Sequence, residues 1–139
     1  MISDNVSIIQ QFSKENLKQL STLTKSPTQI VESFSVTIKS NSILGAFIEN
    51  RLTLIYVPKE TNCFLTCWEG DKALNISNKN KECLFAIGEN VPFSIDSKSK
   101  TGISITISFN LPSKDKFWKI ADVNNSNSKN SKYYLKATN

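Results

Sequence analysis

The sequence predicts a mainly β protein: an antiparallel β-sandwich of about seven or eight strands with an N-terminal amphipathic helix. Three observations lead to it. Residues 51–95 hold a series of short apolar runs rich in β-branched and aromatic residues, each closed by Gly, Pro, Asn or Asp. Two flanking segments alternate apolar and polar residues, the mark of a half-buried strand. And 139 residues suit one domain with one core.

Residues 4–25 read as helical. Val6, Ile9, Phe12, Leu17, Leu20 and Leu23 follow a three-and-four spacing, Ser3 or Asp4 can cap, Ser13 to Asn16 can recap, and Ser26-Pro27 stops the run. Residues 1–27 are therefore expected to pack on, or extend from, a sandwich domain at 28–139. Within that domain, Phe34, Val36 and Ile38 alternate with Ser35, Thr37 and Lys39. Ile43 to Ile48 is apolar but interrupted by Gly45, which suits a bulge or a loop packed under the sheet. The runs at 51–57, 63–68, 73–76, 83–87 and 92–95 follow, expected as an antiparallel meander. Ile103, Ile105, Ile107 and Phe109 then alternate with Ser104, Thr106 and Ser108, and Pro112 closes the strand. Phe117, Trp118 and Ile120 sit among charges, as a short helix or an edge strand. Residues 124–132 are polar and of low complexity, a flexible loop. Tyr133 to Thr138 is strand-like, either joining the sheet or forming a tail.

Composition narrows the chemistry. Seventeen basic and 12 acidic residues leave a net charge of +5, yet Arg51 is the only arginine. A lysine surface without arginine forks argues for solvated charge and against nucleic-acid readout. There is no histidine, which removes the usual neutral-pH general base and the commonest metal ligand. Cys63, Cys67 and Cys83 lack zinc-site spacing and are expected as buried free thiols, with one cross-strand disulfide to Cys83 as the second reading. The four glycines are isolated and open no phosphate-cradling loop. No cofactor and no metal site is expected. No transmembrane run or signal peptide is visible. The expected compartment is periplasmic or extracellular if a leader has been removed, and cytoplasmic otherwise.

The order of features in the central region resembles a small bacterial β-sandwich module of unknown function, found attached to protein kinases, caspase-like proteases and envelope lipoproteins. The likeness runs through Gly45 to Asn50, the strand Leu52 to Tyr56, Thr61 to Thr66, the turn Gly70 to Leu74, and Leu84 to Pro92 with Gly88-Glu89. It covers about half of the chain and consists of turn residues and alternation. The resemblance implies a non-catalytic accessory module in an envelope or secretion setting.

Candidate sites follow that expectation. Glu60, Glu69, Asp71, Glu82, Glu89 and Asp96 fall in expected turns, where charge is solvated, so no carboxylate pair is assigned to acid–base work. The expected function is a non-catalytic protein–protein interaction module of a bacterial envelope or secretion assembly, not an enzyme. Its contact residues are Phe12 and Leu20 on the helix and the Phe117-Trp118 pair. One alternative is an OB-like barrel stacking single-stranded nucleic acid on Tyr56, Phe64, Trp68 and Phe85. Another is a secreted effector or small enzyme without histidine.

Overall fold

In the computed structural model, residues 3–24, 28–97 and 100–110 are described, together with the backbone of 118–120. The expected sandwich is there, built from two five-stranded antiparallel sheets. Its strands are β1 (Val6–Ile9), β2 (Ile30–Ile38), β3 (Ser42–Glu49), β4 (Thr53–Val57), β5 (Phe64–Glu69), β6 (Lys72–Ser77), β7 (Cys83–Ile87), β8 (Phe93–Ser97), β9 (Ile103–Asn110) and β10 (Trp118–Ile120). One sheet has the order β1-β7-β4-β9-β2, the other β10-β3-β8-β5-β6.

The connectivity is not the expected meander. Pairing is nested: β2 with β9, β3 with β8, β4 with β7, and β5 with β6. The chain is one long hairpin, with β5-β6 at its tip, folded over so that successive pairs fall alternately in the two layers. This is a jelly roll. The sequence misled because a run of alternating residues states which face is buried, not which strand lies beside it.

Alternation does fix the faces. On β9, Ile103, Ile105, Ile107 and Phe109 are buried between the sheets, and on β5 Leu65 and Cys67 are. With Ile55, Phe85, Phe93 and Ile95 they form one continuous core. Phe47 meets Phe93 at 5.9 Å between ring centres, and Phe34 meets Phe109 at 5.8 Å. All three cysteines are buried and free, so no disulfide ties the layers. Gly45 does lie at a register shift between β3 and β8. Its φ is +113°, and a Cβ there would come within 3.0 Å of the Phe93 carbonyl oxygen, so only glycine fits.

The N-terminal segment is less helical than its periodicity suggested. Val6 to Ile9 is a strand on the open edge of β7, because a run of β-branched residues beside unpaired backbone gains more as sheet than as helix. Helix follows only at α1 (Lys14–Leu17), capped by the Ser13 side chain, and in a 3₁₀ turn at Lys18–Thr22. That turn lays Leu20 and Leu23 on the outer face of the first sheet, against Ile9, Leu52, Leu54 and Ala86. Among the described residues, no helix is long and apolar enough to cross a membrane. The polar segment 124–132 and the run 133–138 lie outside the described residues.

Candidate functional site

The chain's one arginine is not on the surface. Arg51 is 5% exposed, between β3 and β4 at one end of the sandwich. Its Nε donates to Glu49 Oε1 at 2.8 Å, and its Nη1 donates to Glu32 Oε1 at 2.6 Å. The guanidinium carbon lies 4.2 Å from the centre of the Phe109 ring, a cation–π contact that fixes its plane. Each partner is placed by its strand. Glu49 ends β3 on the side that Phe47 shares by alternation. Glu32 stands on the edge strand β2, opposite Phe109 and immediately after a register shift.

The two carboxylates have opposite environments. Glu49 is 2% exposed, whereas the Glu32 side chain is 55% exposed. Burial pushes the Glu49 carboxyl up to about 8, although the Arg51 charge and hydrogen bond work against that shift; the Glu32 charge adds to it. Glu49 is therefore mostly protonated at neutral pH. Its Oε1 is engaged by Arg51, while its Oε2 is buried and has no hydrogen-bond partner among the described residues. A buried carboxyl raised towards neutrality is a candidate proton-transfer group wherever a substrate can reach it.

The residues singled out in the sequence lie elsewhere, with one exception. Phe12 is 44% exposed, its ring 6.4 Å from that of Tyr56. Leu20 is 7% exposed, buried in the cluster outside the first sheet. Phe117 lies outside the described residues, and the backbone of Trp118 pairs opposite Glu49. The carboxylates considered for acid–base work include three tied to hydroxyls: Glu69 accepts from Ser3, Glu82 from Tyr56, and Glu89 from Thr24. The stacking platform does not form. Tyr56 and Phe85 belong to one sheet and Phe64 and Trp68 to the other, with Phe85 fully buried. Glu49, Arg51 and Glu32 were missed because charges were assigned to solvent; a lone arginine two residues after a glutamate, set among apolar runs, was the available signal. A polar cleft of about 360 Å³ at the opposite end is lined by Glu60, Asn62, Asn80, Thr101 and Ser104 among others. It carries one carboxylate and no second titrating partner.

No family model matches the chain, and no curated protein matches it. Solved structures do. A dTDP-6-deoxy-D-glucose-3,5-epimerase from Legionella pneumophila superposes with a TM-score of 0.63 at 11% identity, over 91% of this chain and 77% of that one. The fold is cupin-like. The sugar 3,4-ketoisomerase QdtA from Thermoanaerobacterium thermosaccharolyticum, solved with TDP, gives 0.58 at 11% identity over 96% and 94%. A Bacillus subtilis oxalate decarboxylase gives 0.50 at 14% identity over 60% of this chain, which spans only 22% of that one.

These neighbours overturn the envelope-module resemblance, which rested on turn residues and alternation that any sandwich can share. With it goes the expectation of a non-catalytic docking module for envelope or secretion assemblies, since the cupin-like neighbours are sugar-modifying and decarboxylating enzymes. Neither the nucleic-acid barrel nor the secreted effector fits them. A second structure in the decarboxylase group is described by its Mn(II) centres. Here no three metal-ligating side chains come together among the described residues, and the chain has no histidine, so no step is derived through a metal.

Proposed function

We propose that this chain is a cupin-like enzyme that isomerises a keto sugar carried on a nucleotide, with Glu49 moving the proton. The observation that carries the reading is the Glu49 carboxyl itself: buried, held by Arg51, titrating near 8, with Oε2 unpartnered among the described residues. The substrate class is supported by the fold, shared over nearly the whole chain with the epimerase and the ketoisomerases.

The reaction needs no oxidant or reductant. In its ionised form the Glu49 carboxylate takes the proton from the carbon beside the sugar carbonyl, and the C–H electron pair moves into an enediolate. The protonated carboxyl then returns the proton, on the same face, to the neighbouring carbon; the adjacent hydroxyl's proton passes to the former carbonyl oxygen, and the carbonyl re-forms one carbon along. Arg51 holds the carboxyl in place and offsets the charge that develops beside it. Neighbouring ketoisomerases include a histidine-to-asparagine variant solved with TDP-4-keto-6-deoxyglucose. In a chain without histidine, a carboxyl raised towards neutrality supplies a group with the same working range.

The test is incubation with TDP-4-keto-6-deoxyglucose in deuterium oxide, followed by proton NMR. The expected result is exchange of a ring C–H for deuterium, with isomer formation, and a loss of about 10²-fold or more in Glu49→Gln. No exchange by the unaltered chain, or full exchange by a folded Glu49→Gln, would overturn it.

A further inference from the structure

The two carboxylates on Arg51 are not equivalent, and the difference points to a ligand. The guanidinium is locked on two sides, by the Phe109 ring at 4.2 Å and by buried Glu49 at 2.8 Å. On the third side stands Glu32, half exposed, on an edge strand and next to a break in strand register. An ion pair with one exposed member contributes little and is readily exchanged. The pre-set, planar fork beneath it is the group that recognises phosphate and carboxylate oxygens in pairs.

We propose that Arg51 is the docking point for a diphosphate-type oxyanion, and that Glu32 is an internal surrogate which the incoming anion displaces. The inference rests on reading the Glu49 end as the active end. It adds which residue receives the charged portion of the ligand and which one competes with it.

Charge balance supports the exchange. With Glu49 protonated, the cluster holds one guanidinium charge and one carboxylate charge. If Glu32 swings out into solvent, a buried positive charge is left that only another anion can offset. Edge strand β2 has no neighbour on its outer side among the described residues, so its first residues can move without breaking a second ladder. Among the described residues, the charged groups that act on Glu49 are Arg51 and Glu32. Above about pH 8, Glu49 ionises, claims Arg51 for itself, and should weaken an arriving anion.

The experiment is calorimetric titration of the full chain with inorganic pyrophosphate at low salt. Saturable binding is expected at pH 7, tightening about three- to fivefold in Glu32→Ala, the worth of a half-exposed ion pair. It should weaken at least tenfold in Arg51→Lys, which keeps the charge and loses the fork. Affinity should fall as pH rises from 7 to 9, and that fall should vanish in Glu49→Gln. If Arg51→Lys does not fold, Glu32→Ala and the pH profile still decide. Pyrophosphate binding to Glu32→Ala that is no tighter than to the unaltered chain, or absent from both, overturns the proposal. The readout is binding, so a chain that binds in this way but exchanges no sugar proton would refute the reaction and leave the docking role standing.

Discussion

Glu49 sets a pH dependence of stability whose sign can be worked out. Its carboxyl titrates near 4.5 in a solvated chain and at about 8 in the fold. Between these values the unfolded chain has lost the proton and the folded one retains it. Raising pH through that window therefore favours unfolding, and the contribution is flat below it and above it. Glu49→Gln removes the titration. Urea midpoints of the unaltered chain and the variant, compared from pH 5 to 9, should diverge in favour of the variant by on the order of a few kcal/mol. A constant difference would mean that Glu49 is already ionised in the fold. Little of this was legible in the sequence beyond the lone arginine two residues after a glutamate. Glu49 entered there only as part of the stretch Gly45 to Asn50 that carried the resemblance, and Arg51 as the first residue of an apolar run. What turns them into a site is burial at the end of β3 and the Phe109 ring brought in from β9, a contact that only the folded chain makes.

Among the elements, β3 couples packing to the site. Its register slips at Gly45 beside Phe93 and Ser94, and the strand beyond carries Phe47 and Glu49. Gly45→Ala combines a left-handed backbone with a methyl 3.0 Å from a carbonyl oxygen. A loss of about 2–3 kcal/mol is expected by chemical denaturation, with proton exchange lost as Glu49 shifts. Full activity in that variant would show that the bulge does not set the carboxylate. Here the sequence was informative: an isolated glycine in an apolar run marked the bulge, and β2 and β9 lie where alternation put them. The failure was at Val6 to Ile9. Three-and-four spacing extends through that run, but the open edge of β7 decides in favour of strand, and a single sequence does not display an unpaired edge.

For the whole molecule, the two apolar layers could be read from the sequence and their connectivity could not. Every pair except β5-β6 joins runs far apart in the chain, and several partners have similar composition, so local pattern could not rank them. Function was misread for a related reason. The missing histidine removed the usual general base and the carboxylates were assigned to solvent, so a non-catalytic module was preferred, whereas the cupin-like fold is one on which known enzymes are built. The chemistry proposed for this chain rests on a carboxyl whose range is altered by its surroundings.

The inward thiols have a use that follows from their placement. Cys67 projects from β5 in one layer, Cys83 from β7 in the other, and Cys63 stands immediately before β5, all fully shielded from solvent. Burial pushes Cys67 and Cys83 up to about 12, and it raises Cys63 as well. Thiolate reagents at pH 8 should leave the native protein untouched and react stoichiometrically once it is denatured. Their rate of uptake then times the parting of the two sheets rather than fraying at the rim. Rapid modification of the folded chain would mean that the dry layer admits solvent far more often than its packing implies.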